Sequence, residues 1–262
     1  MGQEQAGVGI HQMSDREQIV SVCMATYNGE KFITEQIESI LCQLQDKDEL
    51  IISDDGSTDS TISIIEGFND KRIVLLHNNK HNYTENFENA LRHAKGEFIF
   101  LSDQDDVWSK DKVQISLKYL KKYDFLYSNA RIIDSEGNVI EESRNDLLHV
   151  NRGFIRNLIK THYIGCCMAF TRPVLEAALP FPTNHDLCFH DSWISFLAEK
   201  CFKTYVCPEK LIDYRRHGAN TSFGSIGITS SIPRMVKIRI YLFNQVCSRQ
   251  ETIRKHGRKN IA

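Results

Sequence analysis

The run Phe98-Ile99-Phe100-Leu101-Ser102-Asp103-Gln104-Asp105-Asp106-Val107-Trp108 passes from four apolar residues straight into three acids within four positions. A short apolar run bounded by polar residues reads as a buried strand. Carboxylates packed this closely at its carboxyl end raise one another's pKa unless a cation compensates. A hard divalent ion, Mn2+ or Mg2+, meets that need, because it takes one or two carboxylates together with phosphate oxygens and water. The turn therefore predicts an Asp-x-Asp grip on a metal-bound diphosphate. The plain alternative is a solvated acidic turn.

Outward from this turn, the chain from 19 to about 131 alternates short β-branched or aromatic runs with amphipathic segments. That is the pattern of βα units feeding a largely parallel sheet, and it predicts the α/β class. Strands are expected at 19–26, 49–54, 72–77, 97–102 and 125–129. Helices are expected at 31–44, from a cap at Thr58 or Asp59 through Ile65, at 83–94 and at 110–120. From 131 to 222 the pattern is mixed: a turn at Gly137 and Asn138, a helix near 154–159, a strand at 166–170, a helix near 191–200, then two strands around Tyr205 and Leu211.

Ligands of a doubly wound sheet sit outside the carboxyl ends of its strands, so those ends are read for chemistry. The first ends in Ala25-Thr26-Tyr27-Asn28-Gly29-Glu30, a hydroxyl, a ring and an amide before a glycine turn. These groups can flank a base or ribose, although Asn-Gly is also a generic turn. The second ends in Ser53-Asp54-Asp55-Gly56-Ser57-Thr58-Asp59. Asp54 and Asp55 are candidates for base or ribose contacts, whereas Asp59 reads mainly as a helix cap. Farther on, His190-Asp191-Ser192-Trp193 opens a helical pattern. Asp191 fits either a helix-dipole acid or a carboxylate general base. In Asp213-Tyr214-Arg215-Arg216-His217-Gly218, the guanidinium groups suit phosphate recognition and a neutral imidazole can complete a metal shell.

Bulk properties narrow the classes. A formal net charge of -2 over 262 residues lacks the basic excess of a general nucleic-acid binder. Eight cysteines without a C-x-x-C pair, in a chain of this length, read as reduced and mostly buried, which points to the cytoplasm. There is no signal-peptide pattern at the start, no 18-residue apolar run and no internal repeat. The first βα turn lacks the G-x-G-x-x-G of dinucleotide oxidoreductases. It also lacks a glycine-rich turn with a basic residue, which tells against a sugar-phosphate nucleotidyltransferase.

Taken in order, the motifs at 25–30, 53–59, 101–108, 190–193 and 214–218 resemble those of the family 2 glycosyltransferases, with their GT-A fold, over residues 18–222. Ala25 stands where many relatives have proline, and Ser192 where a second aromatic is common. The resemblance implies an inverting single displacement with Asp191 as the base. It implies metal held by Asp105 with help from His217, and donor contacts by Thr26, Tyr27, Asn28, Glu30, Asp54, Asp55, Asp103, Gln104 and Arg215. The Ser-Asp-Gln-Asp-Asp-Val-Trp wording is similar to a bacterial rhamnosyltransferase-like subgroup. Expected partners are a dTDP-rhamnose or UDP-hexose donor and a glycan or lipid-linked oligosaccharide acceptor in surface polysaccharide synthesis. A non-catalytic nucleotide-sugar or glycan-binding module is the rival outside enzymes.

The expected organisation is a polar tail at 1–17, a GT-A domain at 18–222 with a nucleotide-sugar half (18–130) and an acceptor half (131–222), and a C-terminal helical extension at 223–262. From 231 to 262 eight Lys or Arg face one acid, Glu251, interleaved with Ile238, Ile240, Leu242 and Phe243. A basic amphipathic helix of this kind can lie on the inner face of an anionic membrane or pack on the domain.

Overall fold

β1 (Val20–Thr26) and β2 (Glu49–Asp54) are buried almost throughout, as continuous apolar strands between two helical layers must be. Around them the chain folds into α1 (Ile33–Leu41), α2 (Thr61–Gly67), β3 (Ile73–His77), α3 (Tyr83–His93), β4 (Phe98–Ser102), β5 (Val107–Trp108) and α4 (Lys112–Leu120). Then come β6 (Phe125–Ile133), β7 (Val139–Glu141), α5 (Arg144–Leu148), α6 (Phe154–Ile159), β8 (Met168–Thr171), α7 (Arg172–Ala178), α8 (His190–Cys201), β9 (Thr204–Arg215) and α9 (Ile232–Lys259). This computed structural model describes residues 17–217 and 232–259. The predicted tail apart from Glu17, the 218–222 end of the histidine-bearing stretch and the start of the C-terminal segment at 223–231 lie outside the described residues.

Among the described residues one sheet runs β3-β2-β1-β4-β8-β6-β9-β5, with β7 paired to β6. The block β3-β2-β1-β4 is wholly parallel, as the βα alternation requires. The other half is mixed. β8 lies antiparallel between β4 and β6, and β9 returns parallel to β6. Thr26, Asp54 and Ser102 therefore end neighbouring parallel strands at the same edge.

Local chemistry sets the element ends. In α1, Ile33, Ile37 and Ile40 recur at helical spacing and are fully buried. The helix is shorter than the expected 31–44, because its last turn is closed from outside: Arg72 donates to the Leu41 and Leu44 carbonyls at 2.9 and 2.6 Å. α3 starts where Asn82 accepts the Thr84 and Glu85 N–H groups. The cap expected near Thr58 or Asp59 is supplied in part by Asp59, whose carboxylate takes the Thr61 N–H, and α2 begins at Thr61.

The mixed half departs more from expectation. The two strands expected around Tyr205 and Leu211 are one twelve-residue strand, β9. Its register against β6 shifts near Asn129. There the Asn129 amide donates to the Pro208 carbonyl and the Ser143 hydroxyl, so a proline without an N–H is tolerated at an irregularity. β6 runs four residues past the expected 129 because β9 pairs with it to Ile133. At 166–170 the strand begins only at Met168, after a 3-10 turn over Gly165–Cys167. Five of the eight free cysteines are buried.

Candidate active site

The carboxyl ends of β1, β2 and β4 open into a cleft of roughly 870 Å³, within the size range of small-ligand sites. Of the residues singled out in the sequence, Thr26, Tyr27, Asn28, Asp55, Asp103, Gln104, Asp105, Asp191 and His217 line it. Asp54, Glu30 and Arg215 are not among the lining residues, and each has a structural use. Both oxygens of fully buried Asp54 are taken, one by the Gly56 and Ser57 N–H groups and the other by the Ser57 and Thr26 hydroxyls. Glu30 accepts the Ser60 N–H.

Arg215 is 3% exposed and clamps the acidic turn to the sheet. Its N–H donates to Asp106 Oδ1 at 3.0 Å, its Nε to the Asp105 carbonyl at 2.9 Å, and its Nη2 to Glu35 at 2.6 Å. The guanidinium also lies over the Phe32 ring. A residue read as phosphate-binding from its charge is thus spent on holding Asp105 in place.

That clamp sets the main feature of the cleft. His217 Nε2 and Asp105 Oδ2 stand 2.8 Å apart, although 112 positions separate them in sequence. Beside them Asp103 is pushed up to about 7, first by withdrawal from water and then by the Asp105 charge. Asp106, wholly buried, is raised well above the carboxylate range for the same two reasons. Asp103, Asp106 and Cys166 bring ligand atoms within 4.8 Å of one another. Burial pushes the Cys166 thiol far up, so it meets these acids as an S–H donor. Asp105 and His217 offer a hard oxygen and an imidazole nitrogen facing the cleft, a donor set that suits a divalent cation, and Asp103 ionises most readily beside one.

At the carboxyl end of β1, Gln104 locks Tyr27 in place by accepting its N–H at 2.9 Å and donating to its carbonyl at 3.0 Å. The Tyr27 ring remains 51% exposed, a flat apolar face at the cleft. Asn28 adopts φ +47°, a conformation asparagine tolerates, and its side-chain oxygen takes the Thr58 N–H. Asp55 accepts the Lys80, His81 and Asn82 N–H groups and so ties the loop before α3 to the cleft wall.

Asp191 sits in the first turn of α8 and lines the same cleft. Beneath it His190 stacks on Phe87 with ring centroids 4.0 Å apart, and burial lowers its pKa, which keeps the imidazole neutral.

A family model for glycosyl transferase family 2 matches residues 21–179. The chain belongs to that family. Two curated relatives of this family 2 chain align over most of both lengths. The glucosyltransferase WfgD of Escherichia coli, named as acting with UDP-Glc on alpha-D-GlcNAc-diphosphoundecaprenol, is 31% identical over 75% of the chain and 77% of its own. The dTDP-rhamnosyl transferase RfbG of Shigella flexneri is 30% identical over 76% and 75%. Among solved structures, Staphylococcus aureus TarS 1-349 with UDP-GlcNAc superposes with a TM-score of 0.65 at 17% identity, over 86% of the chain and 66% of TarS. The Pyrobaculum calidifontis mannosyltransferase PcManGT, with GDP-Man and Mn2+, gives 0.60 at 19%, over 91% and 73%. The chain covers 60% of the TarS 1-349 chain solved with UDP. These likenesses establish the GT-A fold.

The family 2 cleft also uses residues that motif reading passed over. Tyr83, Asn86 and Phe87 of α3 line it at helical spacing, and their signal was an aromatic pair at i and i+4 directly after the Asn82 cap. Gly165 had no sequence signal, because its role is a close approach: a Cβ there would meet His190 Nε2 at 2.6 Å. Gly165→Ala is expected to displace His190 and the α8 turn that carries Asp191, lowering turnover by about 100-fold, as an ångström-scale misplacement does. Steady-state kinetics on protein with an unchanged circular dichroism spectrum check this, and wild-type turnover would refute it.

Proposed function

We propose that the chain is an inverting, divalent-metal-dependent transferase that moves one sugar from a UDP- or dTDP-linked donor to a hydroxyl of a lipid-linked glycan during cell-surface polysaccharide synthesis. The observation that carries this reading is the convergence on one cleft of the Asp105–His217 pair and Asp191. The named activities of WfgD and RfbG support the donor and the acceptor class.

Asp105 and His217 would hold the cation, Mn2+ or Mg2+, which when bound would supply neutralisation of charge on the leaving diphosphate. Tyr27 packs against the base, while Thr26, Asn28 and Asp55 shape its pocket and Asp103 takes the ribose. Asp54, Glu30, Gln104 and Arg215 act through the backbone they hold. Asp191 takes the proton from the acceptor hydroxyl as that oxygen attacks the anomeric carbon from the face opposite the nucleotide. His190, next to Asp191 in the chain, is kept neutral by burial.

Among the described residues no helix is long and apolar enough to cross a membrane. The proposed location is the cytoplasm, at the inner membrane face, with α9 as the contact. A panel of nucleotide sugars followed by thermal shift, with Mn2+ and with chelator, tests donor and metal together. One UDP- or dTDP-sugar should raise the melting temperature with Mn2+ only. Release of nucleoside diphosphate on adding acceptor supports transfer, whereas pyrophosphate release would indicate nucleotidyl transfer. Donor binding without either product would leave a binding module.

A further inference from the structure

The proposed chemistry leaves most of α9 unused, yet the helix is firmly docked. Ile238, Leu242 and Val246, at successive i+4 positions, are buried. Arg249 donates to the Ala177, Leu179 and Pro180 carbonyls at 2.6, 3.0 and 2.7 Å and lies over the Trp193 ring. Trp193 belongs to the first turns of α8, the helix that opens with His190 and Asp191. The docking therefore holds α9 against the element that carries the proposed base.

Arg239 follows the anchor Ile238. It is only partly exposed, and its Nε is buried with no hydrogen-bond partner among the described residues. Among those residues no carboxylate stands within ion-pair distance of it. Burial lowers its pKa, and Asp191 is the charge that acts the other way. A guanidinium drawn out of water without a counter-ion is costly, and an anion arriving from outside relieves that cost.

The outward flank of the same helix is amphipathic. Val236, Ile240 and Phe243 are exposed beside the exposed cations Arg234 and Lys237. α6, whose Phe154 ring packs on Phe243, adds Ile155 and Ile159, at 59% and 75% exposure. α6 and α9 thus present an apolar strip beside a guanidinium without a protein counter-ion among the described residues, and α8, on which α9 docks, carries the Asp191 carboxylate whose charge acts on that guanidinium.

An amphiphile that joins hydrocarbon, phosphate and sugar matches the arrangement. We propose that Arg239 binds the phosphate of an acceptor whose sugar is joined through phosphate or diphosphate to a hydrocarbon chain, and that the chain lies on the α6–α9 strip. The inference rests on the transferase reading and its lipid-linked acceptor, and assigns the residue and the surface that hold that acceptor. Arginine suits this task because its planar fork grips phosphate oxygens in pairs, which lysine cannot do.

Calorimetric titration of farnesyl diphosphate into the full chain tests the assignment, with chelator present so that a metal-held diphosphate does not contribute. Wild type should bind it more tightly than inorganic pyrophosphate. Arg239→Gln should raise its dissociation constant at least about tenfold, and Arg239→Lys by less, because the charge remains. Equal affinity in wild type and Arg239→Gln would overturn the proposal. So would a preference for pyrophosphate, or a parallel loss of binding to phosphatidylglycerol vesicles, which would make α9 a general anionic surface. UDP with Mn2+, titrated into the same proteins, reports the donor side. Failure of wild type to bind it defeats the transferase reading while the farnesyl diphosphate result still decides the role of Arg239.

Discussion

Replacing Asp191 with asparagine will lower turnover by about 10²- to 10⁴-fold, the contribution of a positioned general base, and leave donor affinity nearly unchanged. The amide keeps the shape of the carboxylate and its place in the first turn of α8, where Oδ1 now accepts the Ser192 N–H. What it loses is the ability to take a proton. The acceptor hydroxyl then attacks without assistance, while Asp105, His217 and Tyr27, which lie outside α8, are untouched. Donor binding by thermal shift and turnover by nucleoside diphosphate release separate the two effects. Wild-type turnover in this variant would remove Asp191 from the role, and a joint loss of donor binding would make it a structural acid at a helix N-terminus.

The second large effect concerns the cation. Asp105→Ala should abolish the dependence of donor binding on Mn2+ and lower kcat/KM by about 10³-fold, corresponding to several kcal/mol of charge stabilisation on the leaving diphosphate. His217→Ala should do less, about tenfold, because the carboxylate supplies the charge and the imidazole only completes the set. Arg215 offers a discriminating comparison. Its guanidinium reaches Asp105 through the backbone carbonyl and Glu35 through its carboxylate, so Arg215→Lys should weaken metal dependence only by loosening the turn. Unaltered Mn2+ dependence in Asp105→Ala would place the cation elsewhere, with Asp103 and Asp106 the acids to examine next.

Some parts of the cleft are written locally in the sequence. The apolar run 98–101 dictates a buried strand, and the acids that follow must sit at its end. Asn82 and Asp59 mark helix starts because their side chains satisfy backbone N–H groups a few residues away. Where reading failed, the partner was remote. Two strands are expected around Tyr205 and Leu211 where β9 is one, because nothing local shows that Asn129 bridges the irregularity at Pro208. Val107–Trp108 is a strand only because Asp213 and Ile212 lie beside it.

The sequence by itself determined the α/β alternation, the parallel block of strands and the acidic tip, since periodicity, capping and like-charge crowding act over a few residues. Only the tertiary structure decided which charges are free to act. Arg215 carries the charge of a phosphate ligand but is buried against Glu35 and the Asp105 backbone, and Arg239, unremarked in its motif, has no protein counter-ion among the described residues. The physical reason is that the work available to an ionised side chain is set by what neutralises it, and neutralising groups are neighbours in space, here as far as 180 positions apart along the chain.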